Sequence, residues 1–134
     1  MTVRTWQTPE ESLDRLVTRA REDLGSPTWW GLLSRHLDEL GGELANGDVE
    51  GLVAQITTDA PHLAASAARL PVLDNQVKSE LTQLRMLVAS AYGSTTAAPP
   101  VRDAAEVTLR HVRTLNRMSD DLMLDAYERD FGGD

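Results

Sequence analysis

The sequence predicts an all-α protein: an antiparallel, up-down four-helix bundle preceded by an additional N-terminal helix or arm. Three observations predict it. Apolar residues recur at three- and four-residue spacing along five segments, and no segment shows the period of two that a half-buried strand requires. Proline, glycine and an Asn-Gly pair fall between those segments, where chain reversals belong. Leu and Ala abound while aromatic residues make up 4% of the chain, a composition that favours helices.

The first helix runs from about Pro9 to Leu24. Thr8 is its N-cap, Pro9 suits the first helical position, and Glu11 completes a capping box. Leu13, Leu16, Val17, Ala20 and Leu24 share one face, and Gly25 ends the helix. Ser26 and Pro27 start the second helix, whose stripe is Trp29, Leu33, Leu37, Leu40 and Leu44, with Trp30 and His36 flanking it. Gly41-Gly42 weakens its last turns, and Asn46-Gly47 is a turn signal. Asp48 caps a third helix that reaches about Arg69. Its stripe is Leu52, Val53, Ile56, Ala60, Leu63, Ala67 and Leu70. Pro61 sits inside it and predicts a kink, because it removes a backbone donor and crowds the preceding turn. The fourth helix spans about Asp74 to Tyr92, with Val77, Leu81, Leu84, Val88 and Ala91 inward and Gly93 as terminator. A small, proline-rich loop covers Ser94 to Pro100. The fifth helix spans about Val101 to Arg129, its inner face traced by Val101, Ala105, Val112, Leu115, Ser119, Leu122 and Ala126. Gly132-Gly133 predicts a flexible end.

Composition bounds the function. At 134 residues the chain reads as one domain, with residues 1–25 an arm and 26–134 the bundle. The net charge of −8 repels nucleic-acid backbones and anionic lipid, so neither is an expected partner. Without cysteine there is no disulfide, thiol catalyst or thiolate metal site, which fits a cytoplasmic location. Met1 to Gln7 has no apolar signal-peptide core, and no apolar run approaches the roughly 18–20 residues that span a bilayer.

The three histidines, His36, His62 and His111, fall on three different predicted helices. Histidines on facing helices can converge in a bundle core and hold a metal. His36 lies about ten residues before the Asn46-Gly47 turn and His62 about fifteen after it, roughly 15 and 22 Å along the two helices. His111 lies at a comparable depth in the fifth helix. One layer has room for all three, although spacing sets height and leaves helix rotation open. Equally, each borders an apolar stripe and suits a part-buried imidazole bonded to a neighbouring carbonyl or carboxylate. Asp59, one turn before His62, and Glu39, one turn after His36, are weaker candidate ligands, each also readable as a surface charge.

These residues carry a resemblance. His36 in "LLSRHLDEL", His62 in "APHLAASAARLPVLD" and His111 in "LRHVRTLN" are spaced much as in the hemerythrin-like (HHE cation-binding) four-helix family, over about Thr28 to Asp134. The tail "DLMLDAYERDFGGD" reads like the end of some bacterial members. The resemblance implies two irons held by five histidines and two bridging carboxylates, and oxygen binding or redox sensing. His36 matches the first-helix ligand, His62 the second-helix ligand and His111 the last-helix histidine. The glutamate expected four residues after His62 is Ser66, and the aspartate expected five after His111 is Asn116. The fourth helix has neither of the two histidines the family places there. An oxygen-bridged di-iron centre needs anionic bridges, and these positions are neutral. DinB-like bundles also use three histidines, two of them four apart on one helix, a pairing this chain lacks.

Two functional readings follow, with an enzyme as a third that no residue pattern supports. The first is a non-catalytic binding or regulatory protein of this family without the di-iron site and without a cofactor, binding a small molecule or a partner protein. The second is a sensor or oxygen-related protein with one divalent ion, iron or zinc, on His36, His62 and His111 plus water. Trp29-Trp30 reads as a ligand- or partner-binding lid, or as Trp29 packed over the bundle end with Trp30 half exposed. Trp6 anchors the arm or docks a second subunit, and Trp30 is the other candidate contact of a homodimer. Met86, Met118 and Met123 read as core fillers. Asp120, Asp121, Asp125, Glu128 and Asp130 read as a solvated acidic face with Arg129 interspersed, or as a weak divalent-cation site without an enclosing loop. No nucleophile elbow, triad or phosphate loop is present, so no catalytic residue is assigned.

Overall fold

A computed structural model describes residues 9–18 and 23–128. These are almost entirely helical, with no strand among them. The elements are α1 (Pro9–Thr18), α2 (Pro27–Asn46), α3 (Val49–Asp59), a 3₁₀ turn (Pro61–Leu63), α4 (Ala64–Ala67), α5 (Arg69–Ala91), α6 (Ala98–Met123) and a wider π turn (Leu124–Glu128). No helix among the described residues is long and apolar enough to cross a membrane. Trp6, the Thr8 cap, Ala20, Arg129, Asp130 and Gly132-Gly133 lie outside the described residues.

Packing divides the chain into two compact units. The first comprises the residues up to Asn46 with Lys78–Arg110, the second Gly47–Val77 with the residues from His111 on.

In the first unit, local chemistry sets the helix ends. The Trp29 backbone N–H donates to Ser26 Oγ at 3.1 Å, and Pro27 opens α2 where its missing N–H costs nothing. Gly25 stops the preceding turn with φ +82°. A Cβ there would lie 3.1 Å from Ala98 Cβ and 3.2 Å from Thr95 Cα, tight contacts that add to the preference for glycine set by φ. α1 packs on α2, burying Leu13, Leu16 and Val17. Leu33, Leu37 and Leu40 of α2 and Leu81, Leu84 and Val88 of α5 are buried as their spacing predicts. Fully burying such a side chain contributes roughly 1.5–3 kcal/mol.

The second unit is less regular. Gly51 N–H donates to Asp48 Oδ1 at 2.9 Å, the cap expected for α3. The third predicted helix does not merely kink; it ends at Asp59. Ala60, ahead of Pro61, is driven out of the helical region to φ −139°, ψ 72°, as a residue before proline tends to be. The chain resumes as the 3₁₀ turn and the short α4. Arg69 then starts α5, five residues earlier than predicted, and Pro71 sits in its first turn rather than beyond a helix. Pro99 and Pro100 occupy the first turn of α6 for the same reason. Ile56, Ala67, Leu70, Val77, Val112, Leu115, Leu122 and Ala126 are buried.

The methionine expectation fails for two of three residues. Met86 is 67% and Met123 43% exposed, while Met118 is part-buried. Met86 is two residues from both Leu84 and Val88, which turns it to the opposite side of α5 from that buried stripe.

Candidate functional site

The histidines are distributed over the two units. His36, in α2 of the first unit, is part-buried, with Nδ1 3.7 Å from Glu39 Oε2. Glu39 is held chiefly by Arg35, whose Nε donates to Oε1 at 3.1 Å. That bond lowers the Glu39 carboxyl below the usual glutamate range; the small desolvation opposes the shift and the His36 imidazole adds to it. His62, in the 3₁₀ turn of the second unit, is exposed, and His111 of α6 is part-buried. Asp59, the other weaker candidate ligand, accepts a hydrogen bond from the Tyr127 hydroxyl at 2.9 Å. Burial, then this bond to a carboxylate, raises the Tyr127 phenol above its ordinary value. Among the described residues no group of three or more His, Asp or Glu side chains gathers as a metal site would require. The positions where the resemblance calls for bridging carboxylates, Ser66 and Asn116, are both exposed.

The tryptophans are interior. Trp29 and Trp30 are 1% and 0% exposed, so Trp30 is not the half-exposed ring expected and presents no ring to a second subunit. Their rings meet edge to face at 5.0 Å, and Trp30 lies 5.7 Å from the Tyr92 ring. Neither indole N–H has a hydrogen-bond partner among the described residues. Each such buried donor costs about 1–3 kcal/mol, offset by the large apolar area the rings bury.

Next to this aromatic cluster, and wholly within the first unit, lies a surface groove of about 390 Å³ between α2 and the second half of α5. Leu37 and Val88 form its buried floor. Ser34 and Asp38 line the α2 side; Thr82, Arg85, Met86 and Ala89 line the α5 side at helical spacing, with Tyr92 at the end. Met86 and the 53% exposed Tyr92 therefore offer apolar surface to solvent. Arg85 Nη2 donates to Asp38 Oδ1 at 2.6 Å across the rim. Gly41 gives the guanidinium its room: a Cβ there would stand 3.2 Å from Arg85 Nη1. The volume suits a small apolar ligand or a few side chains of a docked partner.

Sequence reasoning missed this groove. Its one legible signal was Met86, out of phase with the buried stripe of its helix. The pairing of Asp38 with Arg85 depends on which faces of α2 and α5 meet, and that has no local signature. Comparison with protein-family models, curated proteins and solved structures finds no match for this chain.

Proposed function

We propose that this chain is a non-catalytic binding or regulatory protein: a cytoplasmic, hemerythrin-like bundle of antiparallel up-down helices with an N-terminal arm, lacking the di-iron centre. The observation that carries the binding role is the α2–α5 groove, a buried apolar floor rimmed by exposed Met86 and Tyr92 and one ion pair. Exposed apolar side chains contiguous with a concave surface mark interaction sites more often than chance. The neutral Ser66 and Asn116 support loss of the two-metal centre, since no anionic bridge is available at either position.

The test has two arms. Tag-free protein is incubated with iron, zinc and manganese, desalted, and analysed for metal per chain. Separately, anilinonaphthalene sulfonate is titrated into the native protein and read by its emission and by tryptophan fluorescence, because Trp30 adjoins Tyr92 at the end of the groove. The reading expects no stoichiometric metal, and saturable dye binding that Met86→Glu weakens about tenfold. One equivalent of metal, lost on His62→Ala, would replace this reading with the three-histidine sensor. Dye binding indifferent to Met86→Glu would remove the groove from the argument.

A further inference from the structure

We infer that the occupant of the α2–α5 groove is a second copy of this chain, docked about a two-fold axis that exchanges the Arg85–Asp38 ion pair between subunits. The inference rests on the groove being the binding surface and adds the identity of its partner. The groove rim carries one cation and one anion, 2.6 Å apart and both about half exposed. Such a face is self-complementary: a two-fold operation sets each Arg85 against the Asp38 of the other copy. An exposed ion pair contributes little on its own, so changing partners costs little, and the exchanged pairs lose water as the interface closes. The chain as a whole carries −8, which opposes association of copies. A face on which charge cancels is where two such chains can approach. Met86 and Tyr92 supply the apolar area that contact would bury, at residues that are 67% and 53% exposed. A partner of one charge sign would find half of the rim repulsive.

Sedimentation velocity on the tag-free chain reads the result. The wild type is expected at twice the 14.7 kDa chain mass in the micromolar range. Asp38→Arg alone sets two cations face to face, and Arg85→Asp alone two anions. Each is expected to raise the dimer Kd about tenfold or more. Mixed in equal amounts, the two variants restore opposite charges at both contacts, and a heterodimer of wild-type stability is expected. All these positions are exposed, and helicity by circular dichroism checks that each variant folds. A wild type that stays monomeric to about 100 μM overturns the inference. So do single variants that dimerise like the wild type, or a mixture that fails to pair. A monomer that still binds the dye in a Met86-dependent way leaves the groove in place and removes only the second copy; loss of both removes the groove as well.

Discussion

The two units of this protein are built from the same helical material but are held in different ways. Among the described residues, the first has helices without interior breaks, a tryptophan pair in its core and a glycine turn pressed against the start of α6. The second has a helix cut at Ala60, a core that includes Ala60 and Ala67, and a π turn whose Tyr127 bonds to Asp59. Large rings bury much area for little entropy, so the first unit concentrates its stabilisation in few residues. The second spreads it over smaller contacts. The groove lies in the first unit, where a firmly packed floor of Leu37 and Val88 can carry exposed residues without rearranging.

Truncation of each core gives the largest expected effect. Trp30→Ala should cost about 3–5 kcal/mol, with Ile56→Ala toward the lower end of about 2–5 kcal/mol, by urea unfolding. An Ile56 loss exceeding that of Trp30 would reverse the comparison. If the two variants also unfold with different slopes against urea, the units are separately cooperative.

Backbone changes come next. Gly25→Ala forces a Cβ into a left-handed residue already crowded by Ala98 and Thr95, and should cost about 2 kcal/mol or more. Pro61→Ala should change stability by less than about 1 kcal/mol, because a regained backbone donor is offset by a freer unfolded chain. Equal losses at the two sites would show that the break in the second unit is as tightly constrained as the turn in the first.

The smallest effect is one of pH. Folding raises the Tyr127 phenol above its ordinary value, so the fold prefers the neutral form. Its contribution is complete below the unfolded phenol value of about 10 and is lost as pH rises through the higher folded value. The stability difference between wild type and Tyr127→Phe should therefore stay constant from neutral pH to about 9 and narrow above 10. A difference that persists unchanged to about pH 11 would mean that folding does not raise the phenol above its ordinary value.

Helix starts were legible because capping is local. Ser26 and Asp48 each satisfy a backbone N–H three residues on, and the chemistry of a few neighbours is enough to predict that. Gly93 follows the end of α5, and Gly25 closes the turn ahead of α2, both with positive φ, again a property of single residues. Starts at proline were less legible. Pro71 and Pro99-Pro100 read equally well as the end of one helix or the first turn of the next, and the balance is decided by what the preceding residues pack against. Of the candidate site, the sequence placed the three histidines on separate elements, α2, the 3₁₀ turn and α6, and could not set helix rotation.

By itself, then, the sequence determined that the described residues are helical, where the capped helices begin, and which stripe of each is apolar, because these follow from interactions within about four residues. Only the tertiary structure decided that Trp30 is enclosed against Trp29 and Tyr92, that Met86 faces solvent, and that Arg85 crosses Gly41 to reach Asp38. Those outcomes depend on how one helix is turned against another, which is set by side chains distant in sequence filling a shared space.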